Sequence, residues 1–325
     1  MTTRWQRYVD FWNEREAPHA LALLRITFGA AITANVAQQI LCGQVLEMYA
    51  EIEHGGIFSF RFNNSPYSLF QYLGLSAAVC WALAGIQLVA GTTLTLGLFT
   101  RFSAFLVWII QGTFYDRMIM FRYDGDNVYR VATWLMLLAP AGACWSLDAL
   151  WRGKGSLDIP KWPRRLFMAQ LAIIYSRTGL VKLGSSWSFL DSWQAIYLAV
   201  NLPGIARWPG DWAARVFPLT QLATFISKWF EVTFFLLPLN QYLRRDTLPR
   251  GRLLTLLRRV DARLGYLVVG LGMHAGIFIL MDVGFFSIVM LSLYPCYFMP
   301  QEVQRAHAWV SARLHAARHK PAVPT

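Results

Sequence analysis

Eight stretches of the chain are apolar for long enough to be read as membrane-crossing helices, and the connections between them are polar and rich in arginine. They fall near residues 20–42, 75–98, 102–121, 127–144, 165–184, 217–239, 264–282 and 285–300. About twenty apolar residues in an α-helix match the thickness of a bilayer's hydrocarbon. Backbone amides find no water there, so a crossing segment is a helix or a strand of a closed barrel. The stretches show no period-2 alternation, which selects helices. The pattern therefore predicts an all-α fold, a polytopic membrane helix bundle of about eight transmembrane helices. The last two form a tight hairpin around Asp282, Val283 and Gly284, and the final one is short enough to be tilted or re-entrant. Residues 1–18 read as an interfacial helix with Trp5, Tyr8, Phe11 and Trp12 on its apolar side. Residues 19–300 make the bundle, and 301–325 make a basic amphipathic tail ending in the disordered sequence HKPAVPT. The N-terminus is too polar for a cleavable signal peptide.

Composition agrees. The chain is 56% hydrophobic and 15% charged, where a soluble chain carries about a quarter charged residues. The net charge of +12 would suggest nucleic acid in a soluble protein. Here the cations cluster between apolar spans, so they read as topology signals and as a surface for anionic lipid, and nucleic acid is excluded as a partner. The loop 145–164 carries Arg152, Lys154, Lys161 and Arg164, and the loop 240–263 carries seven arginines. The connections 43–74 and 185–216 are poor in cations. Eight spans put both cation-rich loops and both termini in the cytoplasm, as expected for a bacterial inner-membrane protein. The four cysteines form no CxxC, and neither disulfides nor a thiol redox centre is expected from them.

Ionisable residues inside spans are costly and so draw attention: Arg25, Asp116, Arg117, Arg177, Lys182, Lys228, Glu231 and His274. Lys228 and Glu231 lie three apart on one helix face, which reads either as a neutralised pair holding helices together or as part of a polar path. Arg25 opens the first span and is expected to snorkel toward the cytoplasm. Lys182 ends the fifth span at its outer end; it reads either as a snorkelling lysine or as a general base in a desolvated pocket. His274 reads as an interhelical hydrogen-bond partner or a proton shuttle. The turn Asp124-Gly-Asp126-Asn127 has too few ligands for a calcium loop and reads as a helix cap. His315 and His319 have metal-ligand spacing but no third ligand.

Taken in order, several segments resemble the HTTM family, the transmembrane domain shared with vitamin K-dependent γ-glutamyl carboxylase. They are Leu24-Arg25-Ile26 with Gly29, Leu98-Phe-Thr-Arg101-Phe-Ser103, Asp124-Gly-Asp126-Asn127, and Trp145-Ser-Leu-Asp148. To these are added Gln170 to Trp187 with Tyr175, Gly179, Lys182 and Leu183, and His274 followed by Phe285 to Met290. The resemblance implies a membrane enzyme or maturation factor that uses a reduced, vitamin K-like quinone, with carboxylase-like or quinone-dependent lyase or oxidoreductase chemistry. It makes Lys182 the base that deprotonates the quinol and His274 its pocket partner. It makes Asp126, Asn127, Tyr175, Arg177, Trp187 and Glu231 the residues around substrate or cofactor. Two departures weigh against carboxylation itself: Val181 stands where the carboxylase has a second lysine, and the turn before the fourth span has no histidine. The carboxylase's substrate-gripping soluble domain is not expected here, so a secreted peptide or a separate soluble subunit is the implied partner, as in the family branch that matures a bacterial peptide toxin. The rival class is non-enzymatic: a transporter, scaffold or immunity factor, in which Lys228 and Glu231 would mark the path or glue helices.

Overall fold

The computed structural model describes residues 3–57, 67–117, 124–153, 158–245 and 259–318. The chain folds as an all-α bundle. A short helix α1 (Arg4–Asn13) precedes α2 (His19–Leu41), and α3 (Gln44–Tyr49) and α4 (Phe70–Leu73) lead into α5 (Ala77–Leu96), α6 (Thr100–Arg117) and α7 (Asp124–Leu138). After α8 (Leu147–Arg152), α9 (Trp162–Val181) runs back across the bundle. Short helices α10 (Ala195–Val200) and α11 (Asp211–Arg215) precede α12 (Phe217–Thr233), α13 (Leu236–Arg245), α14 (Arg263–Leu280), α15 (Phe286–Ser292) and α16 (Pro300–Arg318). One core joins α2, α5, α6, α7, α9, α12, α14 and α15, and a smaller apolar cluster sits where α3 and α4 meet α5 and α6.

Among the described residues, three helices are long and apolar enough to cross a bilayer: α2, α5 and α14. A fourth span arises if α12 and α13, bent by 49°, are read as one broken crossing. The other expected spans fall short for visible reasons. Helix α6 carries Arg101, Asp116 and Arg117, and α9 carries Arg164, Arg165 and Arg177. Helix α7 has 15 residues and α15 has 7. The outward surfaces nevertheless have membrane character. On α14 the buried face holds Arg263, Leu267, Gly270 and His274, while Leu264, Val268, Leu271, Phe278 and Ile279 point outward. A soluble helix hides its apolar stripe and shows its polar one. Here the order is reversed, as it must be when the surroundings are lipid.

The end of the bundle nearest the arginine-rich loops is clamped by ion pairs. Arg15 and Glu16 pair as a two-residue strand β1 with Ile159 and Pro160 (β2). Arg164 forks onto Glu16 with both contacts at 2.6 Å and also donates to the carbonyls of Cys296 and Phe298. Lys161 and Arg165 both reach Glu14. Arg25, expected to snorkel, is instead fully buried and donates to the carbonyls of Ala141 and Trp145. The turn after α7 supplies acceptors to the two terminal nitrogens of the guanidinium, while its Nε has no hydrogen-bond partner among the described residues. The expected disordered end, residues 319–325, lies outside the described residues, as does His319.

Candidate functional site

At the opposite end of the bundle, α9 finishes in a cluster built by three residues of one helix face. Tyr175, Gly179 and Lys182 are spaced by four and three, so they stack on the side that meets α12. Gly179 permits the meeting. A Cβ there would stand 2.5 Å from the backbone nitrogen of Val232 and 2.8 Å from Cβ of Glu231, so only glycine lets the two helices approach this closely. Lys182 is the cap residue, where the unpaired carbonyls of the helix end favour a cation.

The close approach sets Lys182 Nζ 2.5 Å from Glu231 Oε2, with the two side chains only 18% and 8% exposed. The ammonium also lies 4.2 Å from the centre of the Trp187 ring. Lys228 turns the other way and donates to the Trp187 carbonyl at 3.0 Å. The sequence spacing pointed to a Lys228–Glu231 pair, but the partner of Glu231 comes from another helix. Glu231 faces the α9 crossing, whereas Lys228, nearly one turn away, faces the loop that follows α9. Around the pair, Leu180, Val181 and Leu183 are exposed apolar side chains.

Deeper in the bundle, the Tyr175 hydroxyl lies 2.7 Å from His274 Nε2 and 2.8 Å from the Tyr294 hydroxyl. All three are buried, and His274 Nδ1 has no hydrogen-bond partner among the described residues. Phe230 and Phe234 of α12 pack on the Tyr175 ring at 5.2 and 4.4 Å. Gly270 makes the room: a Cβ there would fall 2.0 Å from the Tyr294 hydroxyl oxygen. Tyr175 shares its helix face with Lys182, and its hydroxyl belongs to the His274 triad.

The remaining expected site residues lie elsewhere. Arg177 is two residues beyond Tyr175, on another face of α9, and is exposed. Asn127 accepts a hydrogen bond from the Tyr115 hydroxyl at 2.8 Å and faces outward. Asp126 lines a cavity of about 360 Å³ between α2, α3, α6, α7 and the α14–α15 hairpin, which Lys182 does not line. The structure thus brings Lys182, Glu231 and Trp187 into one group and Tyr175 and His274 into an adjoining one. Sequence reasoning missed Tyr294 and Gly270. The spacing of Gly270 four residues before His274 was a usable sign of a tight face, but nothing local marks Tyr294 as a partner.

No curated protein and no solved structure matches this chain. A family model described as the HTTM domain matches residues 13–243, a segment that contains Lys182 and Glu231 and stops before His274. That match spans well over half of the 325 residues, and the helices it covers are those that build the Lys182–Glu231 site, so the chain belongs to the HTTM domain family.

Proposed function

We propose that this protein is a membrane enzyme that moves a proton to and from a hydroxyl group of a lipid-soluble, quinol-type molecule, with Lys182 and Glu231 as the acid–base pair. The observation that carries this reading is the 2.5 Å contact between two largely buried, oppositely charged side chains beside an indole ring. A lysine and a carboxylic acid in contact share one proton. With the proton on Glu231, the free amine of Lys182 accepts a proton from a substrate hydroxyl. With the proton on Lys182, the ammonium steadies the oxyanion left behind.

The surroundings suit such a ligand. Trp187 offers a ring face for an aromatic headgroup, and exposed Leu180, Val181 and Leu183 offer a greasy approach for a prenyl tail. When bound, a quinol would supply the dissociable hydroxyl and the redox capacity that no side chain has. Tyr175, His274 and Tyr294 extend the hydrogen-bonding groups inward and give a displaced proton a next stop. In this reading the bundle crosses eight times, with both termini and the arginine-rich loops in the cytoplasm of a bacterium, and Lys182 faces outward toward a secreted peptide or a separate soluble subunit.

The test uses the full chain in lipid nanodiscs with a reduced, short-chain prenyl naphthoquinol, followed by its absorbance. In air-saturated buffer, wild type should speed oxidation of the quinol to the quinone, with dissolved dioxygen taking up the two electrons and two protons as hydrogen peroxide, and Lys182→Met should lose at least about a hundredfold in rate, the usual worth of a general base. Unchanged conversion by Lys182→Met ends this reading.

A further inference from the structure

Phe99, in the turn between α5 and α6, has a left-handed backbone with φ of 44°, which bulky side chains rarely adopt. Asp148 holds it there by accepting from the Phe99 amide at 2.8 Å. The Phe99 ring is exposed and lies 5.7 Å from the ring of Trp151, which is exposed too. An exposed tryptophan beside apolar surface is typical of headgroup depth in a bilayer. Phe99 and Phe102 stand between two cavities and line both.

The first cavity is an apolar groove of about 520 Å³ along the seam of α5 and α6. Ala82, Gly85 and Val89, spaced by three and four, share one face of α5, and Phe102 and Leu106 line it from α6. Gly85 leaves that face bare, since a Cβ there would meet nothing within 4 Å. The second cavity, of about 540 Å³, lies at the arginine-rich end, and its charged groups are Arg101, Asp148 and Arg152. Asp148 is committed to the Phe99 and Thr100 amides and the Thr100 hydroxyl. Arg152 spends one nitrogen on the Gly142 carbonyl. Arg101 is exposed and has neither an ion pair nor a hydrogen bond among the described residues.

The continuity of the two cavities selects the occupant. A free anion answers the arginines and leaves the groove bare. A wholly apolar molecule fills the groove and leaves Arg101 without a counter-charge. A second copy of the chain in the same membrane orientation brings its own arginines to the same depth and adds like charge. A molecule with an anionic head and an alkyl chain meets both halves at once. We propose that α5 and α6 seat one anionic glycerophospholipid, with its phosphate between Arg101 and Arg152 and one acyl chain in the groove over Gly85. This is a single seat, distinct from the general attraction of basic loops to an anionic surface. It rests on the bundle lying in a bilayer and not on the quinol reading, whose Lys182–Glu231 pair is at the opposite end.

Native mass spectrometry of the full chain in a neutral detergent measures the affinity of the first lipid bound. The probes are dioleoyl phosphatidylglycerol and zwitterionic dioleoyl phosphatidylcholine, with glycerol 3-phosphate as the anion without a tail. Wild type should prefer phosphatidylglycerol by about fivefold or more, the worth of one cation at an anionic headgroup. Arg101→Gln should abolish that preference and leave phosphatidylcholine affinity unchanged. Arg313→Gln, the same loss of charge on α16, should change neither. Gly85→Phe, which fills the groove, should weaken both lipids about tenfold. Gly85→Leu gives the same reading if the larger ring lowers the melting temperature. Lys182→Met should leave phosphatidylglycerol affinity unchanged, so this seat and the quinol reading fail separately. Equal affinity for the two lipids, equal losses in Arg101→Gln and Arg313→Gln, or wild-type binding by both Gly85 variants overturns the proposal. Displacement of phosphatidylglycerol by glycerol 3-phosphate at matching concentration overturns it in favour of a free anion. A dimer that Gly85→Phe dissociates overturns it in favour of a second copy.

Discussion

Lys182 and Glu231 pose a question that distance alone leaves open, because a buried ion pair can be chemistry or glue. Removing one partner strands the other charge, so Lys182→Met or Glu231→Leu alone should each lower stability by roughly 3–5 kcal/mol. The double replacement restores an uncharged, packed contact and should recover most of that loss. If the pair is an acid–base device, the double variant melts near the wild-type temperature yet converts no quinol. A scaffold would show no defect at all once stability returned. Gly270 gives a second test at the same scale. Gly270→Ala drives a methyl into the Tyr294 hydroxyl and the Phe230 ring and should cost about 1–3 kcal/mol. Gly272→Ala, where nothing lies within 4 Å, should be neutral or slightly stabilising by helix propensity, at most about 1 kcal/mol. Equal melting temperatures for the two variants would remove the packing role given to Gly270. Lys182 was legible as a residue of interest from the sequence, since charge inside an apolar run is rare. Its partner was not: a three-residue spacing within α12 suggested Lys228, and only the glycine-mediated crossing of α9 and α12 shows otherwise.

Among the elements, α6 shows how a distant residue starts a helix. Asp148 Oδ1 accepts from the Phe99 amide, and Oδ2 accepts from the Thr100 amide and hydroxyl, all between 2.7 and 2.9 Å. Gly142 leaves space for this contact, because a Cβ there would stand 2.5 Å from Thr100 Oγ1. The two segments quoted for the family resemblance, Leu98 to Ser103 and Trp145 to Asp148, are therefore two halves of one capping contact. Asp148→Ala should destabilise the protein by about 1–2 kcal/mol, measured as a shift in thermal midpoint, and Asp148→Asn by less. The same scale explains the shortfall of spans. Helices α6 and α9 were predicted to cross on the strength of their apolar runs. Their arginines and Asp116 lower the mean hydropathy, yet on the described residues most of these groups face the bundle or its ends. Arg101 at the start of α6 and Arg177 on α9 are exposed.

For the whole molecule, charge is sorted by depth and by end. The arginine-rich end holds Asp148, Asp261 and Glu302. Burial opposes ionisation of Asp148, but the bonds from Thr100 and Phe99 outweigh it and hold its carboxyl below the usual range. The Arg263 fork, helped by Arg244, holds Asp261 well below it. Burial likewise opposes ionisation of Glu302, and the Arg263 guanidinium overcomes that and holds it low. All three shifts are depressions. Their stabilisation is therefore complete above the unfolded carboxylate values of about 4 and is lost as pH falls through the lower folded values. Melting temperature should be flat from neutral pH to about 5 and then fall. Asp261→Asn should flatten part of that acid limb, and an unchanged limb would refute the assignment. The eight-span arrangement is tested by single cysteines in a background where Cys42 is replaced. Leu183→Cys should react with an impermeant maleimide in intact cells, and Arg313→Cys only after permeabilisation. The reverse pattern would invert the molecule.

By itself the sequence determined the class of the molecule, because the free energy of an apolar run in lipid or water depends on the run and hardly on its neighbours. Helix as the element, membrane as the surroundings and the HTTM resemblance all follow from that local information and from the order of short segments. Which polar groups meet was decided only by the tertiary structure. Tyr175, His274 and Tyr294 come from α9, α14 and the turn after α15, and Lys182 and Glu231 from α9 and α12. Their contacts rest on where helices cross, and the crossings rest on the absence of a Cβ at Gly179 and Gly270. Such long-range complementarity has no local signature, since each glycine is equally silent whether a neighbouring helix or lipid lies against it.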